Sequence, residues 1–108
     1  MTTQHEADDE IVTVSHVVPK SGRTDEFIGI QTGFQKSVAG RIEGLLGGRL
    51  LYAEDGRSLV IMSRFKSRED LANWTRSDLF ADHMARVKPL LETTSPQLFS
   101  ALWRSGDV

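Results

Sequence analysis

The stretch Ile11-Val12-Thr13-Val14-Ser15-His16-Val17-Val18-Pro19 decides the fold. It is β-branched through most of its length, which favours extended backbone, and Pro19 closes it. Its apolar residues fall on both sides of a strand: Val12, Val14 and Val18 on one, Ile11 and Val17 on the other. A half-solvated strand alternates apolar with polar residues. This one is therefore expected to be covered on both faces.

The neighbouring segments supply one such cover. Pro19-Lys20-Ser21-Gly22 reads as a turn. Thr24 is the expected helix cap, with Asp25 and Glu26 in a first turn that suits the helix dipole. Phe27, Ile30, Phe34, Val38 and Ile42 then recur every three or four residues, as an amphipathic helix requires. Gly40 or Gly44 is placed to end it. A second strand is expected over Leu45 to Ala53, a hairpin at Asp55-Gly56, and a third strand over Ser58 to Phe65, again apolar on both sides. Ser67-Arg68-Glu69-Asp70 opens another helix in capping-box style, carrying Leu71 and Trp74. Ser77-Asp78 reads as a second cap, restarting the helix through Phe80, Met84 and Val87. Pro89 marks a final turn or kink, and Gln97 to Trp103 reads as a last strand entered through Ser95-Pro96, with Trp103 closing it.

The order β-α-β-β-α-β predicts an α+β, ferredoxin-like fold with an antiparallel four-stranded sheet. Right-handed crossovers place both helices on one face. The other face then needs a cover, and a second copy of the chain is the simplest one, giving a homodimer built as an α+β barrel. Residues 1–9 read as a mobile acidic tail, 10–104 as a single ferredoxin-like domain and 105–108 as a second tail.

Composition narrows the function. Thirteen basic residues against fifteen acidic ones give a net charge of -2, without the basic bias of a nucleic-acid binder. Cysteine is absent, which excludes disulfides, thiolate nucleophiles and thiolate-held metals. The apolar runs are too short for a membrane helix, and the N-terminus lacks the regions of a signal peptide, so a cytoplasmic protein is expected. No nucleophile elbow and no phosphate-binding glycine loop are present.

Several motifs together resemble the antibiotic biosynthesis monooxygenase superfamily, small dimeric proteins of the ferredoxin-like fold. Val18-Pro19 with Gly22 resembles the family opening. Glu43-Gly44-Leu45 stands where the family often has Pro-Gly-Phe, and Phe65-Lys66-Ser67 resembles its Trp-x-Ser. The segment Asn73-Trp74-Thr75-Arg76-Ser77-Asp78-Leu79-Phe80-Ala81-Asp82-His83 is similar to the Trp…Ser-Asp-x-Phe…His stretch of IsdG-type haem-degrading oxygenases. That resemblance implies an oxygen-dependent monooxygenase for a bulky planar or aromatic substrate. Haem is implied as a ligand or substrate, with His83 as the axial ligand to iron and Trp74 pressing on the porphyrin. A strand-one Asn of the family aligns with Val14 or, one residue later, Ser15. Other members oxidise aromatic polyketide-like phenols with no cofactor. A non-catalytic ligand-binding dimer is the third reading.

The residues themselves bear on these alternatives. His83 can ligate iron or act as a general base, or it can simply fill a gap beside Phe80 and Val87. His16 alternates with Val14 and Val18, and is either a polar group of the pocket or a buried histidine held by a neighbour. Val14, Ser15, Phe27, Ile30, Phe34, Phe65, Trp74 and Phe80 are the candidates for an apolar slot. In one unbroken helix, the nine residues from Trp74 to His83 advance by about 13.5 Å and rotate by roughly half a turn. The pair shares a pocket only if the helix breaks at Ser77-Asp78; otherwise Trp74 packs with Leu71.

Overall fold

The computed structural model describes residues 9–103, 105 and 106. His5 and the expected tails at residues 1–8, 107 and 108 lie outside the described residues.

The chain forms β1 (Ile11–Pro19), α1 (Thr24–Val38), β2 (Leu45–Tyr52) and β3 (Leu59–Phe65). It continues through α2 (Arg68–Thr75), α3 (Asp78–Val87), a 3-10 turn (Lys88–Leu90) and β4 (Leu91–Ser100). All strand pairs are antiparallel, in the order β2-β3-β1-β4. This is the ferredoxin-like sheet, with the doubly apolar strands β1 and β3 at its centre.

Several boundaries differ from the sequence reading. Thr24 lies inside α1, whose cap position is Arg23 and has no side-chain cap bond. Arg23 instead pairs with Glu26 at 2.7 Å, one turn on. α1 ends at Val38, ahead of Gly40 at φ +75°. Gly44, at φ +81°, is left-handed too, and a Cβ there would collide with the Asp70 side chain. Glycine thus lets the start of β2 press against the first turn of α2. Ser67 caps α2 by accepting the Asp70 amide at 3.1 Å, and its hydroxyl donates to the Asp70 carboxylate at 3.0 Å. β4 begins at Leu91 rather than Gln97, because the Pro89 turn delivers the chain straight into pairing with β1. Pro96 is tolerated within β4 because this is an edge strand. Trp103 lies beyond the strand and is 82% exposed, so it does not close it.

The helices pack on the face of the sheet that carries Ile11, Val17, Leu59 and Phe65. Two apolar clusters form there. One holds Val17, Phe27, Leu59, Val87, Leu90 and Leu91. The other holds Ile11, Phe65 and Leu71, with Ile42, Leu45 and Trp74 against it. Between them the same face of the sheet carries half-buried Thr13, Ser15 and Ser63, and Thr13 and Ser63 are direct cross-strand partners. Ile61, opposite Ser15, is the one large apolar side chain that β1 and β3 add to this middle stretch.

The opposite face carries Val12, Val14, His16 and Val18 from β1 and Val60, Met62 and Arg64 from β3. Arg64 is buried there against Glu10, with Nε donating to one carboxylate oxygen at 2.7 Å and a terminal nitrogen to the other at 3.4 Å. The pair joins the residue before β1 to the end of β3. Removing one partner of a buried ion pair strands the other charge, at about 3–5 kcal/mol. Arg64→Met is expected to destabilise by that amount, and adding Glu10→Leu to restore most of it. Urea midpoints of the single and double variants check this; additive losses would contradict it.

Candidate active site

The two short helices α2 and α3 are separate because Ser77 interrupts them. Its hydroxyl accepts the Phe80 amide at 3.2 Å and donates to the Trp74 carbonyl at 2.7 Å. It caps α3 and terminates α2 with one side chain. The break turns Trp74 and His83 toward the same neighbour. Phe34 of α1 stacks on His83, with centroids 3.7 Å apart and planes 10° apart, and it also meets Trp74 at 6.1 Å. Phe80 closes the group edge-on to Trp74 at 5.5 Å.

His83 is only 6% exposed within this aromatic cluster. Its Nε2 lies 2.7 Å from Oε1 of Gln31, which is 5% exposed. Its Nδ1 is buried and has no hydrogen-bond partner. Burial, followed by the positive charge of Arg86, holds the imidazole below its ordinary value of 6.5. Burial penalises the cation, and Arg86 repels it. His83 is thus a neutral imidazole near pH 7 with one unused nitrogen.

Gln31 is the residue that the sequence reading missed. It falls on the buried stripe of α1 with Phe27 and Val38. A glutamine four residues after Phe27, where the helical pattern calls for an apolar side chain, was the available signal.

The other expected site residues divide by location. Phe34, Trp74, Phe80 and His83 come together. Phe27 and Phe65 are 0% and 1% exposed and belong to the two core clusters, so they line no accessible slot. Ile30 and Phe34, with Gly29, Gly33, Ser37 and Arg86, line an open depression of about 360 Å³ on the outside of α1. Ser15 is on the helix-facing side of β1. His16 and Val14 are not: strand alternation places them on the far face, opposite the side where Ile11 and Val17 are buried. The exposed His16 sits near Asp55 of the β2–β3 hairpin and shares no pocket with His83. Among the described residues, no group of three or more His, Cys, Asp or Glu is arranged to hold a metal ion. No helix described is long and apolar enough to cross a membrane.

Comparison with known proteins agrees with this architecture. The sequence pattern of the antibiotic biosynthesis monooxygenase family matches residues 11–86, which run from β1 into α3. The chain belongs to this family. Its fold is shared by a conserved protein of Methanosarcina mazei Go1, at 16% identity and TM-score 0.81, covering 93% of this chain and 100% of that one. The Rv0793 protein of Mycobacterium tuberculosis is similar at 17% identity and TM-score 0.80, covering 90% and 99%. So is a variant of SnoaB, a cofactor-independent oxygenase of Streptomyces nogalater, at 21% identity and TM-score 0.79, covering 89% and 96%. No curated protein sequence matches significantly.

Within this monooxygenase family the group to test against the site is haem. The packing around His83 does not fit it. An iron ligand needs an open lone pair facing a slot as wide as a porphyrin. Here Nε2 faces Gln31, Nδ1 is enclosed, and Phe34 lies flat on the ring.

The buried imidazole also makes stability depend on pH. Its folded pKa lies below the unfolded value, so below 6.5 the unfolded chain binds more protons. Stability is lost as pH falls from 6.5 down through the depressed value. The melting temperature of the wild type is expected to drop more steeply over that window than that of His83→Gln. Parallel curves would contradict the assignment.

Proposed function

We propose that this protein is a cofactor-independent oxygenase acting on a planar, electron-rich phenolic or enolic substrate, with His83 as the general base. The observation that carries the reading is the buried neutral imidazole with an unpartnered nitrogen, set among Phe34, Trp74 and Phe80. Such a substrate supplies its own electrons to dioxygen once its acidic proton is removed. The overall balance is a methylene oxidised to a carbonyl: one oxygen atom enters the carbon and the other leaves as water with the two hydrogens. A base that is neutral at physiological pH suits the first step. The aromatic side chains supply flat, dry walls for a planar ring. Phe34 covers the imidazole and Nδ1 is enclosed in the free protein, so turnover requires Phe34 to swing aside far enough to admit a ring system smaller than a porphyrin.

The test is oxygen uptake with reduced anthrones and naphthols. Turnover is expected with at least one, and His83→Gln is expected to slow it by roughly 10²–10⁴-fold. No uptake by the wild type would refute the reading. A Soret shift on adding haem, lost in His83→Ala, would favour a haem ligand instead.

We also read the open face of the sheet as the seat of a second copy of the chain. Val12, Val14, Val18, Val60 and Met62 form an apolar band there, continued by the 45% exposed Leu51 and the 43% exposed Phe99. Monomers rarely leave so continuous a patch uncovered. Light scattering is expected to return twice the mass of a single chain, and Met62→Lys to halve it. A single-chain mass for the wild type would refute the dimer.

A further inference from the structure

We infer that Gln31 is a positioning residue for His83, selecting the imidazole tautomer and with it the nitrogen that receives the substrate proton. The inference deepens the reading of His83 as the base and rests on it for its catalytic meaning.

The contact joins α1 to α3 across 52 positions of sequence, between two side chains that are both more than nine-tenths buried. Breaking a hydrogen bond in such a place leaves two unsatisfied groups, so the contact is kept. A carboxamide oxygen can only accept, so Nε2 carries the hydrogen and donates it to Gln31 Oε1. A neutral imidazole has one ring hydrogen, which leaves Nδ1 as a bare acceptor. The converse pairing has the amide nitrogen donate to a bare Nε2. It would enclose an N–H on Nδ1 with no acceptor, and unpaired buried N–H groups are the rarer kind.

In the free protein Gln31 and Phe34 act on the ring together, and Gln31 alone keeps its hold once Phe34 moves aside. Gln31 holds its edge at 2.7 Å, and Phe34, three residues on, holds its face at 3.7 Å. Rotating the ring by half a turn would exchange nitrogens for carbons and lose the hydrogen bond. The orientation and the tautomer are therefore set by one helix. When a substrate hydroxyl approaches, its proton passes to Nδ1, and the resulting imidazolium keeps Nε2–H on the Gln31 oxygen. A carboxylate in that place would hold the cation by charge and raise the pKa. The uncharged amide orients the base while leaving it neutral.

The test uses long-range proton–nitrogen NMR on the full-length, nitrogen-15-labelled protein at neutral pH. His83 is assigned by comparison with His83→Gln. One protonated nitrogen, Nε2, and one bare nitrogen, Nδ1, are expected for His83. Gln31→Met keeps the length and removes the acceptor, and is expected to move both His83 shifts toward the tautomer average while leaving His16 unchanged. Gln31→Glu restores an acceptor and is expected to keep the proton on Nε2 while raising the His83 titration midpoint against the opposing charge of Arg86. A hydrogen on Nδ1 in the wild type would overturn the inference, as would unchanged shifts in Gln31→Met. Should Gln31→Met fail to fold, an unmoved midpoint in Gln31→Glu decides against it. The expected nitrogen pattern with no oxygen uptake would remove the catalytic reading alone. Uptake with the wrong pattern would remove the role of Gln31 alone.

Discussion

One serine hydroxyl sets the geometry on which the site depends. Ser77 accepts the Phe80 amide and donates to the Trp74 carbonyl, ending one helix and starting the next. Without that interruption Trp74 and His83 would point in opposite directions, because nine helical residues rotate by about half a turn. With it, both reach Phe34 on α1. A local capping bond of modest energy thus decides a contact between side chains on separate helices.

The sheet beneath has a complementary division of labour. Large apolar residues at its two ends secure the helices through the clusters around Phe27 and Phe65. The middle carries the short, half-buried side chains of Thr13, Ser15 and Ser63 beside Ile61. His83 and Gln31 meet where α1 faces α3. A titratable group can be buried there because one polar partner meets it, while burial itself and then the positive charge of Arg86 keep it neutral.

Much of this was legible in the sequence. The β-branched run of β1, the helical stripe of α1 and the Ser77-Asp78 cap are short-range patterns, and each produced its element. The boundaries at Thr24, Gln97 and Trp103 differ from the local pattern because capping and the ends of a strand depend on what the neighbouring segments deliver. His16 does share a face with Val14, but it is the face that the helices leave open. Alternation groups residues without saying which group the helices cover. Phe27 and Phe65 fill the core, and an aromatic on an apolar face looks the same in sequence whether it does that or lines a cavity.

By itself, the sequence determined the order of the elements, the double apolar character of the central strands and the helix break. These follow from periods of two and 3.6 residues and from caps, all of which act within a few positions. Only the tertiary structure decided that Gln31 meets His83, that Phe34 covers the ring, and that His16 lies on the opposite face of the sheet. Those outcomes depend on contacts across 52 positions and on the side to which both helices pack, which no local pattern specifies.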